Sequence, residues 1–280
     1  MNATQTHSHH WINECDAMQC PDCNGFLETA ETGIACLGCH RAFPIRDGLL
    51  DMLKPLEGNN KIAADFYNGP LWPRFRFWER FTFLCNGGER RARRQIMQYL
   101  PNLSGTRLLE VAVGDGANLS LIPDDCRVYG NDISTVQLSN CRRNHRHRDL
   151  RLFLGEAENL PFRDGTFDHV LSVGAFNYFS DPLRSLKEMA RVVKPGGLVV
   201  VSDEVPNLPN RMIGHWIGLP KLDRWIMSRF LHLGPEFTDM VDKHRHLQLE
   251  PMVREALSDW QIHSLWFKVG YCIVGRPKGK

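Results

Sequence analysis

The stretch Arg107–Leu121, RLLEVAVGDGANLSL, constrains this chain more than any other. From Arg107 to Val113 it is a run of Leu and Val interrupted only by Glu110, the pattern of a strand buried on both faces of a parallel sheet. It ends in a glycine turn. Gly114 and Gly116 let the backbone turn sharply and pass close to a ligand. A helix expected from about Ala117 would aim its free amides at whatever occupies that turn. Strand, glycine turn and helix in this order outline a cofactor site.

A dinucleotide fingerprint has the same outline, but its third glycine would fall at position 119, where Leu119 stands. Glu110, an acid ahead of the glycines, suits a cationic ligand better than a pyrophosphate. With this acid and turn the chain resembles the class I S-adenosylmethionine (SAM) dependent methyltransferases, in particular the quinone-biosynthesis type. The resemblance implies that Glu110, Ala112, Gly114, Asp115 and Gly116 hold the charged amino-acid end of SAM; Ala112 stands where the most frequent family form has glycine.

Cys126–Asn131 reads as a second strand ending at Asp132, an acid about 20 residues past the turn that can accept both ribose hydroxyls. The GNDIS segment resembles the family's second motif and adds Ile133. Leu150–Leu154 reads as a third strand. GEAENLPFRDGTFD after it resembles the third motif, which implies that Glu156 and the amide of Ala157 bracket the adenine. Phe167–Val173 and Leu198–Ser202 read as strands four and five. Between them lies a helix opened by Asp181-Pro182 and stopped by Pro195-Gly196-Gly197. Trp260–Phe267 and Tyr271–Gly275 read as a closing antiparallel pair. The fold expected is α/β: a Rossmann-like, seven-stranded methyltransferase sheet, mostly parallel with an antiparallel C-terminal strand, preceded by a small zinc ribbon.

The ribbon rests on cysteine spacing. Of nine cysteines, Cys20, Cys23, Cys36 and Cys39 form two C-x-x-C pairs, a ligand set for one tetrahedral zinc ion. Four sulfur ligands leave no open position, so the metal is expected to be structural. His40, next in the chain, is not expected to replace a ligand. The following HRAFPIRDGLLDML resembles the tail of zinc-ribbon modules such as those of tRNA-methyltransferase activator proteins, with Phe43, Pro44, Ile45 and Gly48 giving one strand and a turn.

The organisation expected is a disordered tail at 1–15, a zinc-ribbon-like module at 16–53, a boundary near Lys54–Asn60, and a methyltransferase domain at 61–280. Lys61–Leu100 reads as aromatic-rich helices broken at Pro70 and Pro73. Tyr67 in DFYN resembles the tyrosine that closes on SAM in quinone-type members. The ERRARR run at 89–94 reads as a solvated helix face, with RNA contact as the lesser alternative. Glu204–Glu250, holding Pro206, Pro209, Met212, Trp216, Trp225 and Met227, reads as an inserted cap over a pocket for an apolar or aromatic substrate.

The formal charge of +2 argues neither for nor against nucleic acid. No apolar run reaches the roughly 18 residues of a membrane span, and reduced thiols suit the cytoplasm. The activity expected is methyl transfer from SAM to carbon, oxygen or sulfur of a small acceptor, because SVGAFNYF lacks the N/D-P-P-Y/F loop of many amino-N methyltransferases. Asn177, Tyr178, Asp203 and His215 are candidates to orient that acceptor, with a structural role the favoured reading for each, and no catalytic base is assigned. Two alternatives stay open. One is methylation of ribosomal or transfer RNA with the ribbon reading RNA, as in the guanine-N1 methyltransferases, although Cys39 stands where those enzymes commonly have His. The other is a non-catalytic SAM-binding or activator subunit that docks a protein partner through the ribbon.

Overall fold

The computed structural model describes residues 11, 13–84, 87–211 and 213–279. Residues 1–10 of the expected tail, Met212, and the side chains of Pro209 and Trp216 lie outside the described residues. The ribbon supplies β1 (Leu27–Ala30), β2 (Gly33–Cys36), β3 (Ala42–Arg46) and β4 (Leu49–Asp51). Three helices follow, α1 (Gly58–Asn68), α2 (Trp72–Leu84) and α3 (Glu89–Met97). The alternating part then runs β5 (Arg107–Val111), β6 (Arg127–Asp132), α4 (Thr135–Asn144), β7 (Leu150–Leu154), β8 (Phe167–Val173), α5 (Pro182–Val192) and β9 (Val193–Glu204). The inserted segment holds α6 (Ile213–Trp216), α7 (Pro220–Trp225), a π-helical turn at Ile226–Phe230, α8 (Pro235–His244) and α9 (Leu249–Ala256). The strands β10 (Leu257–Leu265) and β11 (Gly270–Pro277) end the described chain.

All eleven strands form one sheet in the order β1-β2-β3-β4-β7-β6-β5-β8-β9-β11-β10. Strands β7, β6, β5, β8 and β9 are parallel neighbours, and β11 runs antiparallel between β9 and β10. The continuous apolar runs have their explanation here, since Leu108, Leu109, Val128, Leu152 and Phe153 are fully covered by layers on both faces. Helix α5 is set by its sequence: Asp181 accepts the amide of Arg184 at 3.0 Å, Pro182 begins the first turn, and Leu186, Met189 and Ala190 turn inward.

The structure corrects four expectations. No α-helix follows the glycine turn; a single 3-10 turn at Leu119–Leu121 stands there. Asn118 is drawn inward to Glu110, Pro123 ends the segment, and Arg148 satisfies the carbonyls of Leu119, Ile122 and Pro123 at 2.9, 2.7 and 2.6 Å. An arginine thus completes a turn too short to bond itself.

Second, the zinc module does not stand apart. Its β4 pairs in parallel with β7, Leu50 opposite Phe153 and Asp51 opposite Leu154. Phe43, Ile34, Leu50 and Met52 share a core with Tyr129, Phe153, Phe162 and Phe167. The boundary at 54–60 is a change of chain direction within one packed body. Third, the packed chain reaches back into the expected tail: Trp11 is 1% exposed and meets Tyr129 and Phe153 edge-on. Buried Glu14 pairs with Arg151 at 3.0 Å and Arg107 at 3.1 Å. Fourth, the insertion does not cap the cavity at the strand ends: of its described residues only Glu204, where it begins, lines it. Its Met227, Leu233, Phe237 and Met240 pack behind Phe66, Tyr67 and Trp72, so it buttresses a wall.

Candidate functional site

A cavity opens at the carboxyl ends of β5, β6, β8 and β9, where the strand order reverses between β5 and β8. Its floor is backbone. Gly114 (φ +55°) and Gly174 (φ +77°), which follow β5 and β8, both line it, and a Cβ on either would enter open space. Ala112, also lining the cavity, holds φ +57°, the left-handed region in which glycine is the unstrained residue.

Acids ring this floor. Glu110, at the end of β5, is 1% exposed; its Oε1 accepts Asn118 Nδ2 at 2.6 Å and its Oε2 has no partner among the described residues. Burial pushes its carboxyl up to about 7, against the pull of Asn118 and Arg93. Asp132, at the end of β6, accepts Gly114 N and Ser134 N at 2.9 Å each, and burial raises it to about 6 despite these amides. Each oxygen keeps a lone pair for a second donor. On the far wall, Asp203 accepts the amides of Asn177 and Glu204 at 2.9 Å, and Glu204 accepts the hydroxyl of Tyr178. Burial lifts both to about 7.

Of the residues expected to hold cofactor, Glu110, Ala112, Gly114, Asp115, Asp132, Ile133, Ala157 and Tyr67 line this one cavity. Gly116 and Glu156 do not. Gly116 is buried away from the cavity against Cys141 and His145, which lie within 3 Å of where a Cβ would stand. Glu156 is held by Asn60 Nδ2 at 2.8 Å, and the acid that reaches the cavity is Glu158, bonded to the same Asn60 at 3.1 Å. Of the expected acceptor residues, Tyr178 lines the cavity. Asn177 is a buried strut that accepts Tyr271 Oη at 2.9 Å and donates to the carbonyl of Glu204 at 2.6 Å, and His215 is exposed away from the cavity.

Sequence reasoning missed the polar chain behind Glu110. Arg93 donates to Asn118 at 2.8 Å and pairs with Glu89 at 2.7 Å; Glu89 meets Arg76, which also holds Glu79. Arg93 belongs to the ERRARR run, and its neighbours Ala92 and Ile96 are buried. That four-residue spacing marks the inward face of α3. Trp266 was also missed: a left-handed turn at Trp266–Lys268 ends β10 early and brings the indole to the cavity, its Nε1 donating to Ala92 O at 3.3 Å.

In the ribbon, the ligand atoms of Cys20, Cys23, Cys36 and Cys39 all lie within 4.8 Å of one another. Amides of Asp22 and Gly38 point at the sulfurs of Cys20 and Cys36 at 3.4 and 3.3 Å, which favours thiolates. Four converging sulfurs fit a tetrahedral zinc ion, and His40 takes no part in the cluster. The knuckle also holds the loop after β7, whose Ala157 and Glu158 line the cavity, since Pro21 O accepts Asn159 Nδ2.

Fold, strand order and donor set define a domain of the class I SAM-dependent methyltransferase type. Residues 109–201 match the family described as methyltransferase domain, and residues 16–48 match that of Trm112p-like proteins. The chain therefore carries a methyltransferase domain with a Trm112p-like zinc-ribbon module joined in front of it. It is 33% identical over 118 residues to the phthiotriol/phenolphthiotriol dimycocerosates methyltransferase of Mycobacterium leprae, covering 41% of this chain and 43% of that protein. It is 36% identical over 121 residues to the demethylmenaquinone methyltransferase of Beutenbergia cavernae, covering 43% of this chain and 50% of that protein. The chain thus spans half or less of these relatives' length. A solved complex between the Haloferax volcanii Trm112 methyltransferase activator and a methyltransferase candidate contains a chain of similar fold. That match has a TM-score of 0.50 at 19% identity and covers 78% of this chain and 98% of that one.

Proposed function

We propose that this protein transfers the methyl group of SAM to a small apolar or aromatic acceptor. Glu110 carries the reading. A buried carboxylate oxygen without a donor is costly, and an ammonium group bound at the glycine turn would supply one. In this reading Asp132 takes the ribose hydroxyls with its free lone pairs, Gly155 and Ala157 offer backbone to the adenine, and Tyr67 and Trp72 cover the cofactor. SAM brings a methyl group already activated by the positive sulfur. What the chain adds is alignment and exclusion of water.

The wall formed by Phe83, Trp266, Tyr178 and Phe179 suits an apolar or aromatic acceptor, and the names of the mycobacterial and menaquinone relatives point the same way. Where the acceptor is a hydroxyl, the bond from methyl to oxygen forms as the bond to sulfur breaks. Glu204, bonded to Tyr178 and lining the cavity, then receives the hydroxyl proton. The ribbon extends the sheet in this reading and its thiolates suit a reducing compartment such as the cytoplasm.

The test is SAM binding by calorimetry for the protein and its Asp132→Ala variant, followed by incubation with methyl-labelled SAM and either a lipid extract or total RNA of the host. Tight binding weakened by the substitution, with label in the organic phase, is expected. Label in RNA alone, or failure to bind SAM, would overturn the reading.

A further inference from the structure

Helix α2 has an inward face of mixed character and an outward one with exposed apolar residues. Trp72, Arg76, Glu79 and Phe83 line the cavity, whereas Phe77 (58% exposed) and Leu84 (64%) face solvent beside the exposed Arg74 and Arg80. The inserted segment repeats the arrangement. Its Met227 is buried against Trp72 and Leu71, whereas Ile217, Leu219, Leu222 and Trp225 are 37–58% exposed, next to the exposed Lys221 and Arg229. The two elements are neighbours, with Leu71 packed against Leu233 and Gly234.

Apolar residues in such numbers on adjoining elements mark a docking surface. Their charged companions say what docks. None of Arg74, Arg80, Lys221 and Arg229 forms an ion pair among the described residues, and Asp223, the acid of α7, is buried and committed to the amide of Gly214. A tryptophan and leucines interleaved with unpaired cations on a helix outside are complementary to the boundary between anionic headgroups and acyl chains. A soluble protein partner would have to match a scattered set of cations without a defined groove.

We propose that the outer face of α2 and of residues 217–229 docks on an anionic lipid surface. The protein would lie on the bilayer with its cavity wall against it; no helix among the described residues is long and apolar enough to cross. This rests on the proposed acceptor class only for its purpose, because an apolar acceptor held in a bilayer would then be met at the cavity. Docking itself needs neither SAM nor acceptor.

The experiment is co-sedimentation of the full chain with vesicles of phosphatidylcholine alone and of an equal mixture with phosphatidylglycerol, read together with Trp fluorescence. Binding to the anionic vesicles with a blue shift, weakened by added salt, is expected. Trp225→Ala should lower partitioning about tenfold. Lys221→Gln with Arg229→Gln should lower it about 25-fold, at roughly fivefold per cation near an anionic surface. SAM affinity, measured on the same samples, should not move in either variant. No sedimentation with anionic vesicles, equal binding of the wild type and both variants, or a concentration-dependent dimer that hides Trp225 without vesicles would each overturn the proposal. Because SAM affinity is read separately, loss of docking and loss of the methyltransferase reading are told apart.

Discussion

Glu110→Gln is expected to make the protein without SAM more stable and its SAM complex weaker. Burial raises the carboxyl from its ordinary 4.5 to about 7, with Asp115 and Asp132 adding repulsion and only Asn118 and Arg93 opposing it. The folded state therefore holds the Glu110 proton more tightly than the unfolded chain does. By linkage, stability falls as pH rises from about 4.5 to about 7 and is flat above that. At 1.36 kcal/mol per pH unit the loss is about 3 kcal/mol by pH 8. Glutamine keeps an oxygen for Asn118 and carries no charge, so it escapes that loss. Thermal unfolding at pH 8 should place the variant roughly 5–10 °C above the wild type without SAM, with the gap closing near pH 5. Saturating SAM should narrow that gap by about 2 kcal/mol, since the wild type alone gains a charge-assisted bond to the ammonium. A variant less stable than wild type at pH 8 without SAM, or one with unchanged SAM affinity, would refute the reasoning.

Two further outcomes follow from single features of the site. Ala112→Gly should relieve the left-handed backbone at φ +57° and, after the entropic cost of glycine, raise stability by about 0.5–1 kcal/mol, read in chemical denaturation. Purified protein should hold one zinc per chain; stripping it with a chelator should lower the unfolding temperature and weaken SAM binding, because Pro21 in the metal knuckle bonds Asn159 in the loop that carries Ala157. Retained SAM affinity in the stripped protein would separate the two sites.

Much of this architecture could be read from local pattern. Leu150–Leu154 and Phe167–Val173 are strands at the expected bounds, because residues buried on both faces leave an uninterrupted apolar signature. Glu110 and Asp132 were legible since their positions at strand ends fix where they point. Arg93, Trp266 and Glu204 were not, for reasons of distance along the chain. Arg93 looks like any surface arginine until Asn118 is brought against it, and the turn that aims Trp266 carries no glycine at its own positions. Glu204 gains meaning only beside Tyr178, 26 residues away. The helix expected after the glycine turn failed because its carbonyls find Arg148, which no local rule anticipates. His215 has acceptor chemistry but no local pattern that fixes its direction, and it is exposed outside the cavity.

The junction of β4 with β7 also bears on how the molecule avoids polymerising. A parallel sheet ending at β7 would present a row of unpaired backbone groups, a template for another chain. Here that edge is closed by β4, and the new end of the sheet is β1, four residues long and outwardly exposed at Glu28, Thr29 and Ala30. The opposite end, β10, is interrupted by a bulge between Ser258 and Gln261. The metal module therefore blunts one edge of the sheet. Loss of the ion, by loosening β4 from β7, is expected to open that edge to self-association, read as growth in particle size by light scattering on adding a chelator.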